Sequence, residues 1–297
     1  MSGPASRLAR SLLFSPGTRP ELMAKAKAAG SDALIYDLED SVPPAAKADA
    51  RRNIAAALSE DAGPPTYVRV NHPAAGDTRQ DIEALVEAAR GSRLAGVVLP
   101  KAEHADAVAL VADLLERVEK DAARGAAPLS IVPMIETCLG LRHAYDIARA
   151  SPRVSGMVLA SAEQGDFMVD LGGRWTPDAR ALAYPRSKLV CDARAAGIAW
   201  LIDGVFMNLA DDAALRRESL LARELGFVAK MAIHPRQVPV IVEVFSPTAE
   251  EIDYARGLVA AFRAAEAAGT GAIAYRGMMV DYANLKLAER VLALAER

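Results

Sequence analysis

The chain has 297 residues, 52% of them hydrophobic but only 5% aromatic, and a formal net charge of −3. Its 35 basic residues are scattered, with no dense block of the kind that makes a nucleic-acid stripe or a polybasic membrane patch, so neither partner is expected. No segment approaches the roughly 18 uninterrupted apolar residues of a membrane span, and Met1–Arg7 leads into no signal-type apolar run, which points to a cytoplasmic protein.

A core made from Ala, Val, Leu and Ile suits parallel strands buried on both faces. The length fits one barrel of about 250 residues with an extension. Cys138 and Cys191 form neither a disulfide framework nor a Cys-x-x-Cys pair and read as free thiols. Along the chain, Leu12–Phe14 leads through the turn Ser15-Pro16-Gly17-Thr18 into a helix over Arg19–Ala26 with proline in its first turn. Further strand candidates are Ala33–Tyr36, Tyr67–Val70, Gly96–Leu99, Ser130–Ile135, Val154–Ala160, Ile202–Phe206 and Phe227–Met231. Helical stretches such as Ala45–Leu58 and Asp81–Ala89 lie between them. Alternation of this kind predicts a parallel sheet, and eight strands predict its closure into a (β/α)8 TIM barrel over residues 1–245. Past the barrel, an acidic helix start at Ser246–Glu251 runs to Ala268, Gly269–Gly277 breaks it, and Asn284–Glu296 is helical again. This extension, 246–297, is expected to serve as a lid or a subunit contact, although its first helix could equally pack into the outer ring.

Three of the apolar runs end in acid: Asp37-Leu38-Glu39-Asp40, Glu136, and Asp166 after a short loop. In a parallel barrel the strand C-termini and the loops after them build the active-site face, so these carboxylates should converge on one pocket. Oxygen ligands gathered there suit a hard divalent cation, and Mg²⁺ keeps positions open for substrate.

Seven motifs then carry a resemblance. Phe14-Ser15-Pro16-Gly17-Thr18-Arg19-Pro20, Asp37-Leu38-Glu39-Asp40-Ser41-Val42, Val68-Arg69-Val70-Asn71, Leu99-Pro100-Lys101-Ala102-Glu103, Met134-Ile135-Glu136-Thr137, Asp166-Phe167 with Asp170-Leu171-Gly172, and Ile233-His234-Pro235 occur in that order. From about Arg10 to its end the chain resembles the citrate lyase β-subunit-like family, which groups with the HpcH/HpaI aldolases and includes malyl-CoA and citramalyl-CoA lyases. The resemblance implies a Mg²⁺-dependent lyase that cleaves or forms a 3-hydroxyacyl-CoA of the malyl-, citramalyl- or citryl-CoA type, giving a 2-oxo acid and an acyl-CoA. It also implies a homotrimer or larger homo-oligomer.

By the same resemblance Glu136 and Asp166 are the metal ligands. The segment Ala160-Ser161-Ala162-Glu163-Gln164-Gly165-Asp166 is longer than the family's Gly-x-x-Asp and leaves Glu163 as a competitor. Arg69 would grip the oxo-acid half with a planar fork. Glu39 and Asp40 would organise the metal's water shell, with Asp40 alternatively capping a helix near Pro43. Arg19 would meet CoA phosphates or a carboxylate at a helix N-terminus, or else form a helix-end salt bridge. Lys101 either faces substrate or pairs with Glu39 or Glu103, and His234 reads as a structural turn. Asp281, in Gly277-Met278-Met279-Val280-Asp281, matches an aspartate that reaches into a neighbouring subunit's site as acid or base, or else caps the helix from Asn284 onward. Met278 stands where the family usually has lysine, and Ala283 where proline is common. Two other readings stay open: an aldolase on free hydroxy-oxo acids, and a non-catalytic, degenerate member.

Overall fold

The computed structural model describes residues 8–60, 63–88, 93–122 and 127–295. The segment 1–7 and the final residues of the helices expected at 81–89 and 284–296 lie outside the described residues. Contacts divide the chain into two compact units, Leu8–Glu243 and the residues from Val244 onward.

In the first unit eight parallel strands close into a barrel in chain order: β1 (Ser11–Pro16), β2 (Ala33–Asp37), β3 (Thr66–Arg69), β4 (Leu94–Leu99), β5 (Ser130–Ile135), β6 (Gly156–Leu159), β7 (Trp200–Asp203) and β8 (Ala229–Ala232). Closure is made by β8 on β1, with Ser11 opposite Lys230 and Leu13 opposite Ala232. Every residue of β2, β6, β7 and β8 is buried, as expected of strands walled by helices outside and side chains inside. Leu12, Ile35, Val98, Val132, Met134, Val158, Ile202 and Met231 belong to the buried cluster of the barrel.

The outer helices are α1 (Pro20–Lys27), α2 (Lys47–Ser59), α3 (Thr78–Ala88), α4 (Ala105–Asp121), α5 (Cys138–Arg142), α6 (Ala144–Arg149), α7 (Asp166–Leu171), α8 (Arg180–Ala195), α9 (Asp212–Glu224) and α10 (Val238–Val244). Gly17 lets the turn after β1 lie against β2, since a Cβ there would stand 2.7 Å from the Asp37 carbonyl oxygen. Gly204, after β7, is equally constrained: a Cβ would meet the Ser161 amide nitrogen at 2.4 Å.

The strand ends correct the sequence reading, most clearly around β6 and β7. Ala160, Val205 and Phe206, expected inside strands, fall in the loops after β6 and β7. Val154 makes only an isolated bridge to Ile131. Ala160 and Val205 line the mouth of the barrel rather than extend its ladder.

The second unit holds α11 (Ala249–Ala267), started by a capping box between Thr248 and Glu251, and α12 (Tyr282–Ala295). Between them the expected break is a hairpin of β9 (Ile273–Tyr275) and β10 (Met278–Val280). Its turn places Arg276 and Gly277 at φ 46° and 82°, the double left-handed geometry of a two-residue hairpin loop. Phe262, Leu258, Val280 and Leu285 form the core of this unit. Among the described residues, no helix is long and apolar enough to cross a membrane.

Candidate active site

The C-terminal ends of the barrel strands surround a cavity of about 340 Å³, whose lining includes Asp37, Asp40, Arg69, Glu136 and Asp166. Thr137 ends β5 by capping α5, its hydroxyl accepting the Gly140 amide at 3.0 Å, which leaves Glu136 as the last side chain before the turn. One Glu136 oxygen accepts the Lys101 amide at 3.0 Å. Lys101 achieves this at φ 48°, a left-handed conformation uncommon outside glycine and a form of strain that concentrates at functional sites. Burial pushes the Glu136 carboxyl up to about 7, against the pull of Arg69 and the Lys101 amide.

Asp166 is the first residue of α7, where a carboxylate favours the helix dipole. Three bonds fix this helix and its approach. Asp170 accepts the Cys138 amide at 2.7 Å, and Ser161 donates to Asp203 at 2.9 Å while accepting the Gly204 amide at 3.1 Å. The long loop therefore still delivers Asp166. Carboxylate oxygens of Asp40, Glu136 and Asp166 all lie within 4.8 Å of one another. That spacing is on the scale of an octahedral Mg²⁺ shell, whose opposite ligands stand about 4 Å apart, and the all-oxygen donor set is what a hard cation prefers. Glu163 is exposed and outside this group. Asp40 is a member that the sequence reading had placed in the outer shell. It does not cap the turn near Pro43, which has no side-chain cap.

Arg69 is locked by Asp37, which the sequence places at the mouth without revealing its role. Its Nε and Nη2 donate to the two oxygens of Asp37 at 2.7 and 2.8 Å, its Nη1 reaches Glu39 at 3.0 Å, and its guanidinium lies 5.3 Å from the Phe14 ring centre. Burial opposes ionisation of Asp37, but the Arg69 pair, the Ser41 side chain and the Glu39 amide outweigh it and hold the carboxyl below its usual range. Burial likewise opposes the Arg69 charge, and Asp37 and Glu39 more than restore it.

Lys101 donates to Glu39 at 2.6 Å and Asp40 at 3.3 Å and lies 3.5 Å from Asp166, while Glu103 instead takes the Thr137 hydroxyl. Burial raises the Glu39 carboxyl, with Arg69 and Lys101 opposing. Five carboxylates thus face two cations across this mouth, and a dication would offset most of the excess.

Arg19 precedes α1, is exposed, pairs with Glu21, and is not among the residues lining the cavity. The His234 ring accepts the Arg236 amide at 3.2 Å in a turn, as expected. In the second unit, the Asp281 carboxylate accepts the Ala283 and Asn284 amides at 2.8 and 3.4 Å, the helix-capping geometry.

The profile of HpcH/HpaI aldolase/citrate lyase matches residues 10–235. The chain belongs to this family. It is 36% identical to the citrate lyase subunit beta of Leuconostoc mesenteroides subsp. cremoris, over 97% of this chain and 94% of that one. Identity is 35% to the L-malyl-CoA/beta-methylmalyl-CoA lyase of Cereibacter sphaeroides strain ATCC 17025, over 99% and 96%. Among solved structures, CitE from Mycobacterium tuberculosis in complex with magnesium, acetoacetate and coenzyme A superposes with a TM-score of 0.75 at 33% identity, covering 98% of this chain and 99% of that one. The family's solved members thus include one holding magnesium and CoA on this barrel.

Proposed function

We propose that this chain is a Mg²⁺-dependent carbon–carbon lyase that cleaves or forms a 3-hydroxyacyl-CoA, with a 2-oxo acid and an acyl-CoA as the two halves. The observation that carries this reading is the convergence of Asp40, Glu136 and Asp166 beside a guanidinium braced by Asp37. Those three carboxylates would hold the ion. When bound, it would supply Lewis-acid stabilisation of charge developing on the oxo oxygen.

The chain's own side chains do the rest. Arg69, with Nε and Nη2 committed to Asp37, presents its remaining N–H groups to the carboxylate of the oxo acid and fixes its plane. Lys101 keeps Glu39 and Asp40 in place through its ammonium and Glu136 through its amide. Proton exchange at the acyl-CoA α-carbon falls to Asp281 of a neighbouring subunit in a homotrimer or larger assembly, a role supported by the family resemblance. The two free thiols fit a cytoplasmic setting, and Arg19 remains assigned to the CoA side on its helix position.

The test is CoA release from malyl-, citramalyl- and citryl-CoA, followed with a thiol reagent, with Mg²⁺ and with EDTA. Release that requires Mg²⁺ is expected. Release of oxo acid from free hydroxy acids without any CoA-thioester activity would replace this reading with the aldolase one.

A further inference from the structure

The lyase reading leaves undefined whether the oxo-acid half carries one carboxylate or two, and the wall of the cavity bears on that choice. The mouth carries charged side chains along one stretch of its rim and an unbroken apolar stretch along another. The sector from β2 to the loop after β6 supplies Asp37, Asp40, Arg69, Glu136 and Asp166. The opposite arc is built by β7, β8 and β1, neighbours in the closed barrel, through Val205, Met231, Ile233 and Phe14. Met134 and Ala160 extend that arc from β5 and β6.

This arc is the upper surface of the barrel core. Met134 and Met231 belong to the buried cluster, and Phe14, Ala160 and Val205 pack against it. A carboxylate pressed onto such a surface surrenders its water to methyl and thioether groups, and a charge does not recover that cost without a partner. The guanidinium at its border is already engaged by Asp37 and Glu39, and in the lyase reading its remaining donors would hold the carboxylate that orients the oxo acid.

Resting on the lyase reading, we propose that the site takes a 2-oxo acid with a single carboxylate and an apolar substituent no larger than a short alkyl group, and that Met134, Val205 and Met231 impose this choice. The metal and Arg69 hold the polar end common to all 2-oxo acids. The apolar arc then reads the other substituent, accepting hydrogen or methyl and rejecting a carboxymethyl group, whose charge it leaves unpaired.

The experiment compares kcat/KM of the full chain with Mg²⁺ on malyl-CoA and citramalyl-CoA, whose oxo halves are glyoxylate and pyruvate, and on citryl-CoA, whose oxo half is oxaloacetate. The citryl-CoA value is expected at least about thirtyfold below the better of the other two, the discrimination an unpaired buried charge imposes. A smaller ratio overturns this inference and leaves the lyase reading standing, whereas no CoA release from any of the three overturns both. Val205→Arg, or Val205→Lys if the first variant does not fold, places a cation on the arc. The variant is expected to narrow the ratio about tenfold by raising the citryl-CoA value. A folded variant whose ratio is unmoved removes Val205 from the assignment.

Discussion

Glu136 is 4% exposed, and its burial pushes its carboxyl up to about 7. A carboxyl that must lose its proton before it can bind an ion makes metal affinity depend on pH. The sign is that affinity falls about tenfold per pH unit below about 7 and levels off above it. Glu136→Gln should lower Mg²⁺ affinity by at least about 10–100-fold and flatten that pH dependence, with the fold kept. Calorimetric titration between pH 5.5 and 8.5 checks both, and unchanged affinity in the variant removes Glu136 from the ligand set. At this scale much of the site was legible. Glu136, Asp166 and Arg69 stand where apolar runs end, and a barrel turns such ends toward one mouth. Asp37 was harder to find, because it is the first of three acids within four residues and only the parallel register setting Asp37 beside Arg69 shows that it clamps the guanidinium. The left-handed backbone at Lys101 leaves no trace in residue type, since lysine is not a residue that favours it.

The loop that carries Asp166 is anchored by an element-scale device that no local pattern announces. Asp203 on β7 is fully buried and receives Lys230 of β8 at 2.6 Å, Arg186 of α8 at 3.0 Å and the Ser161 hydroxyl at 2.9 Å, while Glu218 of α9 accepts Lys230 at 2.9 Å. Burial opposes the Asp203 charge, and Arg186 and Lys230 overcome it, holding the carboxyl below its usual range. Its contribution to stability is therefore present above the ordinary carboxylate pKa and is lost as pH falls through the lowered one. Asp203→Asn leaves two buried cations facing one carboxylate and should cost about 3–5 kcal/mol in urea unfolding at pH 7. A loss under about 1 kcal/mol would mean that the cluster relaxes or hydrates when broken. The members lie far apart in sequence, so charge patterning along any one helix or strand could not reveal them. The strands were readable because burial on both faces makes them short apolar runs. Their ends near Ala160 and Val205 were not, because an apolar pocket wall continues the same pattern past the last ladder bond. The hairpin between α11 and α12 was read as a break, its one local cue being Gly277 in the turn.

At the scale of the whole molecule the question is whether one chain completes its own site. The second unit has a compact core of its own, yet its hairpin exposes Met278 and Met279 at 64% and 78%, and Tyr282 and Leu287 are also exposed. Apolar side chains displayed beside Asp281 suit a contact with another copy, which is how the proposed assembly would deliver that carboxylate to a neighbour's mouth. The reading makes a prediction that neither subunit alone can satisfy. Asp281→Asn should keep wild-type Mg²⁺ affinity and slow turnover by ~10²–10⁴-fold, the range for a lost acid–base group. Glu136→Gln should be inactive for the separate reason of lost metal. Co-expressed in equal amounts, the two variants form mixed assemblies in which roughly a quarter of the sites pair an intact metal centre from one subunit with an intact Asp281 from the next. Activity should therefore return to about a quarter of wild type. If each chain used its own Asp281, every site in the mixture would carry one defect and no activity would return, so a mixture as inactive as its parents would sink the shared-site arrangement while leaving the metal centre untouched.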